Sequence, residues 1–417
     1  MTLLERLHSV SEAQKVLERV LPNVLRKTRV PLLDSVSYIS AEDVVAGMDL
    51  PPFDRSVLDG YAVRWIDISS ASSESPSILR LRGSISVGEE AETFLGPREA
   101  FEVQTGSRIP EGSNTVVPRE YAERRGDTIL VYKSFPPGYG VSPRGEDVRE
   151  NETILRHGDV ISEWHVGMLA SLGLSHVSVW DKLRVVVAST GDELVEPGQG
   201  GRRGFFASTG YAVASYLNER GAHTVYKGVL GDDPSKIESF IAGNLESWDA
   251  IVLTGGTSVG TRDYTAKVIR RLADDYVHGV ALTPGRPGVF ASIEGKPVIG
   301  LSGMPVAALS QLIAVWDPAY RRIVGKRDPW EPVIVGVMAK RYKAREGMTN
   351  IVFSRACRNV IKGLLWIDPL KVTGSGVLSV LVRSNVFMVI PEEVTGLDEG
   401  ETIEARVTGP IGRCSQA

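Results

Sequence analysis

The sequence predicts a multidomain protein of the α/β plus β class. A chain of 417 residues is too long for one hydrophobic core, so roughly two to four domains are expected. Between residues 183 and 325, apolar strands alternate with helical segments, which is typical of a mainly parallel sheet covered on both faces. Residues 53–141 and 328–417 show short strands separated by turns, which predicts two further β-rich units.

The N-terminal region predicts a scaffold that the chain forms in two pieces. Apolar residues recur with a helical period over residues 10–24, where Ser11 and Gln14 resemble a capping box and Pro22 favours an early end. A second helix follows the long polar bridge 136–159, so the first β-rich unit is predicted as an insertion. The predicted domains are the split scaffold 1–48 plus 142–181, the inserted β domain 49–141, the α/β domain 182–327 and the C-terminal domain 328–417.

The alternating region and the last unit predict most of the remaining elements. In the alternating region, strands are predicted at 183–188, 224–229, 250–253, 279–282, 289–293 and 297–301, with helices at 210–220, from 234, at 264–274 and from 305. In the last unit, strands at 333–337, 351–353, 364–367, 387–390 and 403–407 predict a β-barrel or sandwich. Ligands of parallel sheets bind at the carboxyl ends of strands, so the loops there are the first candidates for a site.

Bulk composition excludes several classes of protein. A net charge of −4 offers no global basic field for nucleic acid, and no apolar run approaches the roughly 20 residues of a membrane helix. The first residues carry charges where a signal peptide has its apolar core, which predicts a cytoplasmic protein. Cys357 and Cys414 are far apart and are expected to be reduced, without a disulfide or a thiolate metal site. The six His show no HExxH spacing.

A glycine loop that ends in an acid is the most informative motif. The apolar strand 250–253 runs into TGGTSVGTRDY, in which Gly255, Gly256 and Gly260 are expected to offer unblocked backbone N–H groups to an anion. Asp263 is expected to hold a metal ion or to steer a water molecule. A tight turn with a solvated Asp is an equally valid interpretation of this loop alone.

Other loops repeat the pattern of acids, hydroxyls and glycines. Glu193 ends a buried strand, and either Asp232 or Asp233 is expected to cap the helix that follows. Arg286 is a candidate phosphate ligand, and the helix from Pro305 offers its N-terminus to an anion. Each loop alone is as consistent with a turn or a solvated face. Together they predict a cleft for a magnesium-assisted reaction at a phosphoanhydride, with an oxyanion as the second substrate.

Six segments resemble, in chain order, the signature segments of the MoeA-type molybdopterin molybdenumtransferases, the family that includes the gephyrin E domain. They are FDRSVLDGYAVR, TGSRIPEGSNTVV, SPRGEDV, STGDEL, LTGGTSVGTRDY and GLSGMPVAA. The resemblance spans residues 3–410 and implies a four-domain homodimer. Its domains would be a split N-terminal scaffold, an inserted β domain, a MogA-like α/β domain and a C-terminal β-barrel.

The resemblance also implies a reaction in molybdenum cofactor biosynthesis. The enzyme would take adenylylated molybdopterin and molybdate, hydrolyse the adenylate with Mg²⁺, and place molybdenum on the dithiolene. The site would lie between the α/β domain of one subunit and the β domain of the other. A MogA-type adenylyltransferase is a further predicted partner, whereas nucleic acid and membrane are not expected.

Residue roles follow from motif positions in the same family. The resemblance implies catalytic roles for Asp59, Thr105, Glu193, Asp232 and Asp263. It implies phosphate or pterin binding by Gly255, Gly256, Ser258, Arg286 and Ser375. It implies metal binding by Asp147, Asp232 and Asp263.

Three segments depart from the family pattern. Ala207-Ser208-Thr209 stands where the family often has Asp-Ser-Asn, Thr283 stands where its KPGKP loop has lysine, and Ser302 with Met304 alters its GLPGNP. Two alternatives therefore stay open beside molybdenum insertion. One is tungstate insertion into the same pterin, and the other is a non-catalytic cofactor-binding paralogue.

Overall fold

The chain folds into two compact units. In the computed structural model, the described residues are 7–89, 94–199, 205–258, 263–359, 363–371 and 374–414. The first unit comprises Met1–Glu42, His157–Ser162 and His176–Ala417, and the second comprises Asp43–Arg156 and Glu163–Ser175. The chain therefore leaves the first unit and returns to it twice. The four predicted domain boundaries stay predictions.

A six-stranded sheet forms the centre of the first unit. The first four strands are parallel, whereas the last two form antiparallel pairs at one edge. The middle strand Ala250–Thr254 is buried at every residue, as a parallel strand covered on both faces must be. The predicted mainly parallel sheet is thus confirmed. The strand order is His223–Leu230, Arg184–Thr190, Ala250–Thr254, Lys296–Leu301, Val289–Ile293 and Asp275–His278.

Helices cover both faces of this sheet. Along Arg184–Thr190, Val185 and Val187 join one core, while Val186 and Ala188 join the other, because successive side chains of a strand point to opposite faces. The first core includes the helices Val10–Val20, Ser208–Glu219, Pro305–Gln311 and Asp317–Val324, and the second includes Pro234–Leu245 and Tyr264–Leu272. A π-helical turn, Leu312–Trp316, joins Pro305–Gln311 to Asp317–Val324.

The first helix is confirmed, but its predicted capping box is wrong. The Ser9 hydroxyl accepts from the Glu12 N–H at 3.1 Å, and the Glu12 carboxylate accepts from the Ser9 N–H at 2.7 Å. The capping box is therefore formed by Ser9 and Glu12, not by Ser11 and Gln14. The Glu12 carboxylate near the N-terminus also interacts favourably with the helix dipole. The helix ends at Val20, where Pro22 imposes a 3₁₀ turn.

A closed five-stranded barrel forms the C-terminal part, as predicted. Val386–Ile390 pairs with Thr349–Asn359 and so closes the ring. The predicted strand at 279–282 is replaced by Asp275–His278 and Leu282–Thr283. Leu282–Thr283 pairs in parallel with the first residues of Thr349–Asn359, which ties the barrel to the segment that connects the central-sheet strands Asp275–His278 and Val289–Ile293. The ring order is Thr349–Asn359, Leu364–Pro369, Val333–Met338, Thr402–Val407 and Val386–Ile390.

The second unit is built on another six-stranded sheet. Its order is Thr115–Pro118, Gly60–Val63, Glu99–Val103, Ser77–Ile85, Thr128–Val131 and Ala122–Arg125. The helices Trp65–Ile68 and Glu163–Ser171 belong to the same unit. Two short antiparallel pairs complete it, namely Arg55–Ser56 with Val141–Ser142 and Val44–Val45 with Thr153–Leu155. Among the described residues, no helix combines the length and apolar character needed to span a bilayer.

The two cysteines form a disulfide, so the prediction of reduced cysteines is wrong. Cys357 lies on Thr349–Asn359 and is bonded to Cys414 across a separation of 57 residues. The Arg358 N–H donates to the Gly412 carbonyl at 2.9 Å, and the Cys414 N–H donates to the Arg358 carbonyl at 3.1 Å. These bonds lay the C-terminal segment beside the strand. Distance along the sequence therefore gave no measure of distance in space.

A buried charge network joins two helices of the first unit to the segment before the barrel. Asp317 is 2% exposed and accepts from the Tyr216 hydroxyl at 2.5 Å. Arg220 lies 3.5 Å from the same carboxylate and donates to Glu331. Burial raises the pKa of Asp317 to about 6, although Arg220 and Tyr216 oppose this shift. Loss of a proton there therefore leaves a buried charge that is only partly compensated.

The disulfide predicts a count of free thiols. In guanidinium without reductant, we expect no alkylation of either cysteine, and after reduction we expect two alkylated sites by mass spectrometry. Reduction should also lower the free energy of unfolding by roughly 3–4 kcal/mol, since the bond closes a long loop. Two reactive thiols in unreduced protein would contradict the structure.

Asp317 predicts a pH dependence of stability. Because the folded pKa of about 6 lies above the ordinary 3.8, this carboxyl stabilises the fold most when protonated, and that contribution is lost as the pH rises from about 4 to above 6. Asp317→Asn should therefore gain stability relative to wild type over this range, as measured by urea unfolding. Exposed Asp328→Asn serves as the control. A constant difference between Asp317→Asn and wild type would contradict the prediction.

Candidate functional site

A cleft with a volume of about 1760 Å³ opens at the carboxyl ends of the parallel strands. Three strands run directly into its lining loops, namely Arg184–Thr190, Ala250–Thr254 and Lys296–Leu301. Residues of the barrel line the other side, so the whole cleft lies within the first unit. Because parallel strands end at the same edge of the sheet, residues far apart in sequence meet there.

Two glycines set how closely the strand ends approach. Gly255 has φ +100°, and a Cβ on it would lie 2.4 Å from the Thr190 carbonyl oxygen. Gly256 has φ +62°, and a Cβ on it would lie 2.5 Å from the Thr265 hydroxyl. The Thr190 and Thr265 hydroxyls are themselves 3.1 Å apart. Only glycine fits both the backbone conformation and the space at these two positions.

The glycines differ in what their amides do. The predicted role of Gly255 as an N–H donor to an anion is wrong, because its N–H donates to the Leu301 carbonyl at 2.9 Å and so extends the sheet. The Gly256 N–H has no acceptor among the residues that the structure describes. The anion-binding role of Gly256 stays a prediction, and Gly260 lies outside the described residues. Ser258, the other predicted ligand on this loop, lines the cleft.

Three predicted acids come together in the cleft. Glu193, Asp232 and Asp263 all line it. The Asp192 N–H donates to the Asp232 carboxylate at 3.4 Å, and the Asp232 N–H donates to the Asp192 carboxylate at 3.0 Å. These reciprocal bonds fasten the loops after two neighbouring strands to each other.

The structure separates the roles of the two adjacent acids. Asp233 caps the helix Pro234–Leu245, since its carboxylate accepts from the Ser235 N–H at 2.9 Å. Asp232 does not cap the helix and lines the cleft instead. Burial raises the pKa of Asp232, and the charges of the neighbouring acids raise it further against an opposing bond from the Asp192 N–H. Binding of a proton or of a nearby cation stabilises a carboxyl group in this position.

Gln311 organises the loop that carries Arg286, and sequence reasoning missed it. Its side chain is fully buried; it donates to the Gly285 carbonyl at 2.7 Å and accepts from the Ser302 N–H at 2.9 Å. One amide group therefore holds two cleft loops in place. Arg286 lines the cleft beside Gly285. A lone Gln in an apolar helix carries no signal that would identify this role in advance.

The helix from Pro305 is not an open anion site. The Val306 N–H donates to the Ser375 carbonyl at 3.1 Å, and the Met304 N–H donates to the Ser302 hydroxyl at 3.2 Å. The Ser375 hydroxyl lies 2.8 Å from the Met304 sulfur. The loop carrying Ser375 thus reaches the cleft as predicted, but it occupies the end of the helix that was expected to bind an anion.

One departure from the family pattern has a structural role. The Thr209 hydroxyl donates to the Gly303 carbonyl at 2.7 Å, which links the start of Ser208–Glu219 to the loop after Lys296–Leu301. Ser208 is exposed and lines the cleft, whereas Ala207 is buried.

The barrel supplies basic residues to the cleft, and sequence reasoning missed these as well. Lys340 pairs with Asp368 and Arg341 pairs with Asp398. Three more cations of this part of the chain line the cleft, namely Lys343, Arg345 and Lys371. Like Arg286, they form no salt bridge to any described residue. Unpaired cations in one cleft favour an anionic ligand. Lys343 and Arg345 stand in the short segment YKAR, and Lys371 follows the end of a strand. Basic residues in such places are too common to indicate a site.

The remaining predicted residues belong to the second unit. Thr105 donates to Asp59 twice, from its N–H at 2.7 Å and from its hydroxyl at 2.9 Å. These bonds lower the pKa of Asp59, with the amide contributing most. Asp147 is exposed, and its N–H donates to the Leu50 carbonyl at 3.0 Å. The structure therefore brings Asp59 and Thr105 together, but neither they nor Asp147 line the cleft.

The cleft acids fit magnesium only in combination with a ligand. No group of three or more acid, imidazole or thiol side chains stands at metal-binding distance among the described residues. Asp232 and Asp263 are oxygen donors, and the pKa of Asp232 is raised by burial first and to a smaller extent by the neighbouring acids, Asp263 among them. Mg²⁺ commonly binds through one or two carboxylates, water and substrate phosphates, which is the arrangement that this pair permits.

The fold and the cleft define a class, namely a multidomain α/β protein with a cleft lined by acids and cations beside a β-barrel. Three family models match the chain: the MoeA N-terminal region (domain I and II) over residues 8–173, the probable molybdopterin binding domain over 186–322, and the MoeA C-terminal region (domain IV) over 335–407. The chain belongs to the MoeA family. The predicted family, fold class and place in molybdenum cofactor biosynthesis are thereby confirmed.

Relatives match over nearly their full length. A Methanocaldococcus jannaschii protein named for molybdopterin biosynthesis is 33% identical, with 97% of this chain and 99% of that protein covered. The molybdopterin molybdenumtransferase of Haemophilus influenzae is 28% identical, with 93% and 95% covered. The crystal structure of a molybdopterin biosynthesis MoeA protein from Pyrococcus horikoshii has a TM-score of 0.80 at 30% identity, with 97% and 100% covered.

The glycine geometry predicts a sharp difference between two alanine variants. Gly255→Ala should lower the free energy of unfolding by at least roughly 1–2 kcal/mol, because a positive φ disfavours alanine and its Cβ would clash with the Thr190 carbonyl. Gly303→Ala is the matched control, since its Cβ would meet its nearest neighbour at an ordinary 3.4 Å. Urea unfolding of both variants checks this. Equal stabilities would show that close approach at Gly255 is not required.

Proposed function

We propose that this chain is a molybdopterin molybdenumtransferase, which hydrolyses adenylylated molybdopterin and inserts molybdate into the dithiolene. The observation that carries the proposal is the distribution of charge in the cleft. Arg286, Lys343, Arg345 and Lys371 bring cations without salt bridges among the described residues, while the loops of the central sheet bring clustered acids. Such a cleft suits a ligand with several phosphate charges together with a divalent cation.

The proposed chemistry divides among the residues of the cleft. The Gly256 N–H and the Arg286 guanidinium bind phosphate oxygens, which holds the phosphoanhydride in place. Glu193 orients the attacking water and accepts its proton as the phosphorus–oxygen bond breaks. Asp232 and Asp263 would hold Mg²⁺, which neutralises charge on the phosphate oxygens when bound. Release of AMP then frees the cleft for molybdate, two of whose oxygens are replaced by the dithiolene sulfurs and leave as water with the protons of the two thiols and two further protons from solvent.

The relatives support this proposal by their names. The Haemophilus influenzae relative is a molybdopterin molybdenumtransferase, and the match to it spans nearly the whole chain. A homodimer, in which the second unit of a partner copy supplies Asp59, Thr105 and Asp147, belongs to the same proposal. So do a MogA-type adenylyltransferase as a partner and a cytoplasmic location.

The proposal predicts the requirements for AMP release. Purified protein should release AMP from adenylylated molybdopterin when molybdate and Mg²⁺ are both present, as measured by chromatography. Asp263→Ala and Glu193→Ala should each lower the rate per folded molecule by ~10²-fold or more, because they remove a metal-holding or water-orienting group. Omission of Mg²⁺ should have a comparable effect on wild type.

Glu246→Gln is the control for these variants, since this exposed acid caps the carboxyl end of Pro234–Leu245 and does not line the cleft. Its rate should equal that of wild type. Tight binding of the substrate without AMP release, unchanged in Asp263→Ala, would identify a cofactor-binding paralogue instead. A faster reaction with tungstate than with molybdate would make tungsten the metal that is inserted.

A further inference from the structure

Two adjacent phenylalanines are exposed inside the cleft. Phe205 is 74% exposed and Phe206 is 53% exposed, and both line the cleft. Isolated apolar side chains are common on protein surfaces, but two aromatic rings in sequence at the wall of a polar cleft call for a ligand or a partner that covers them.

The backbone holds this pair in a fixed place beside the acids. Phe205–Phe206 forms a parallel pair with Leu194–Val195. The Phe205 N–H donates to the Glu193 carbonyl at 3.0 Å, and the Ala207 N–H donates to the Val195 carbonyl at 3.1 Å. Since paired strands lie about 4.8 Å apart, the Phe205 backbone is one strand spacing from that of Glu193.

We propose that the exposed pair Phe205–Phe206 forms a stacking wall for a planar nitrogen heterocycle of the substrate, in which one of the two rings faces the heterocycle because successive side chains of a strand point to opposite faces. The inference rests on the proposed function, since both the adenine and the pterin of adenylylated molybdopterin are such rings. Aromatic side chains bind flat heterocycles through dispersion and ring stacking, and this binding needs no particular pattern of hydrogen-bond donors and acceptors. The wall thus determines which end of the substrate lies beside Glu193, while the phosphates reach the Gly256 amide.

The position within the cleft favours a ring over a protein partner. The same cleft contains clustered acids and cations that form no salt bridge within the described part of the chain, and a protein surface would have to match these groups one by one. A small molecule with phosphates at one end and a flat ring at the other satisfies both features at once. A second copy of the chain on these rings is the competing occupant that the experiment addresses.

The experiment measures binding, so it does not depend on turnover. The probes are AMP, 6-hydroxymethylpterin and ribose 5-phosphate, titrated calorimetrically into wild type, Phe205→Ala/Phe206→Ala and the ring-preserving Phe205→Tyr/Phe206→Tyr. We expect one of the two heterocycles to bind about 10- to 100-fold more weakly to the alanine variant, as stacking contributions imply. The tyrosine variant should keep most of the wild-type affinity, and ribose 5-phosphate should not discriminate among the three proteins.

The outcomes of this experiment separate the possibilities. Loss of AMP affinity assigns the wall to adenine, whereas loss of pterin affinity assigns it to the pterin. Unchanged affinity for both rings, or a change of oligomeric state in light scattering, overturns the proposal. If AMP release under the proposed reaction is absent but ring binding still depends on the phenylalanines, the proposed function fails while the stacking wall stands.

Discussion

The close approach of neighbouring strand ends is the constraint on which the rest of the site depends. At Gly255 the chain passes so near the Thr190 carbonyl that no side chain fits, and at Gly256 it passes equally near Thr265. This contact brings the loop that leads to Asp263 against the loop that leads to Glu193. Without it, the loop that leads to Asp263 would separate from the loop that leads to Glu193, and the interaction between these two charges would weaken with distance.

Charge in the cleft is arranged for a ligand rather than for stability. Burial and, to a smaller extent, the neighbouring carboxylates raise the pKa of Asp232, and several cations find no salt bridge among the described residues. In the body of the first unit, by contrast, Asp249 is buried between Arg26 and Arg184, whose hydrogen bonds outweigh the effect of burial and lower its pKa. The fold can therefore pair its charges, and functional sites are where such pairing is commonly left incomplete.

The sequence was informative wherever a local pattern has one physical meaning. Apolar strands such as Ala250–Thr254 predicted a parallel sheet, and the parallel sheet predicted where Glu193, Asp232 and Asp263 would meet. The sequence was uninformative wherever the structure depends on which acceptor a given N–H group bonds to, or on which distant segments pack together. The Gly255 amide joins the sheet, the barrel covers the helix end at Val306, and Cys414 returns to Cys357 because the last segment pairs with a strand. Such choices are made by tertiary packing.

The short parallel pair between Leu282–Thr283 and Thr349–Asn359 limits how this architecture can be recombined. The segment that anchors the barrel continues directly into Gly285 and Arg286, which line the cleft. A chimera that exchanges barrels between two relatives at the boundary after the helix Asp317–Val324 would separate this anchor from its own partner strand. Modular exchange should therefore carry residues 282–287 along with the barrel, so the inherited unit is discontinuous in the gene.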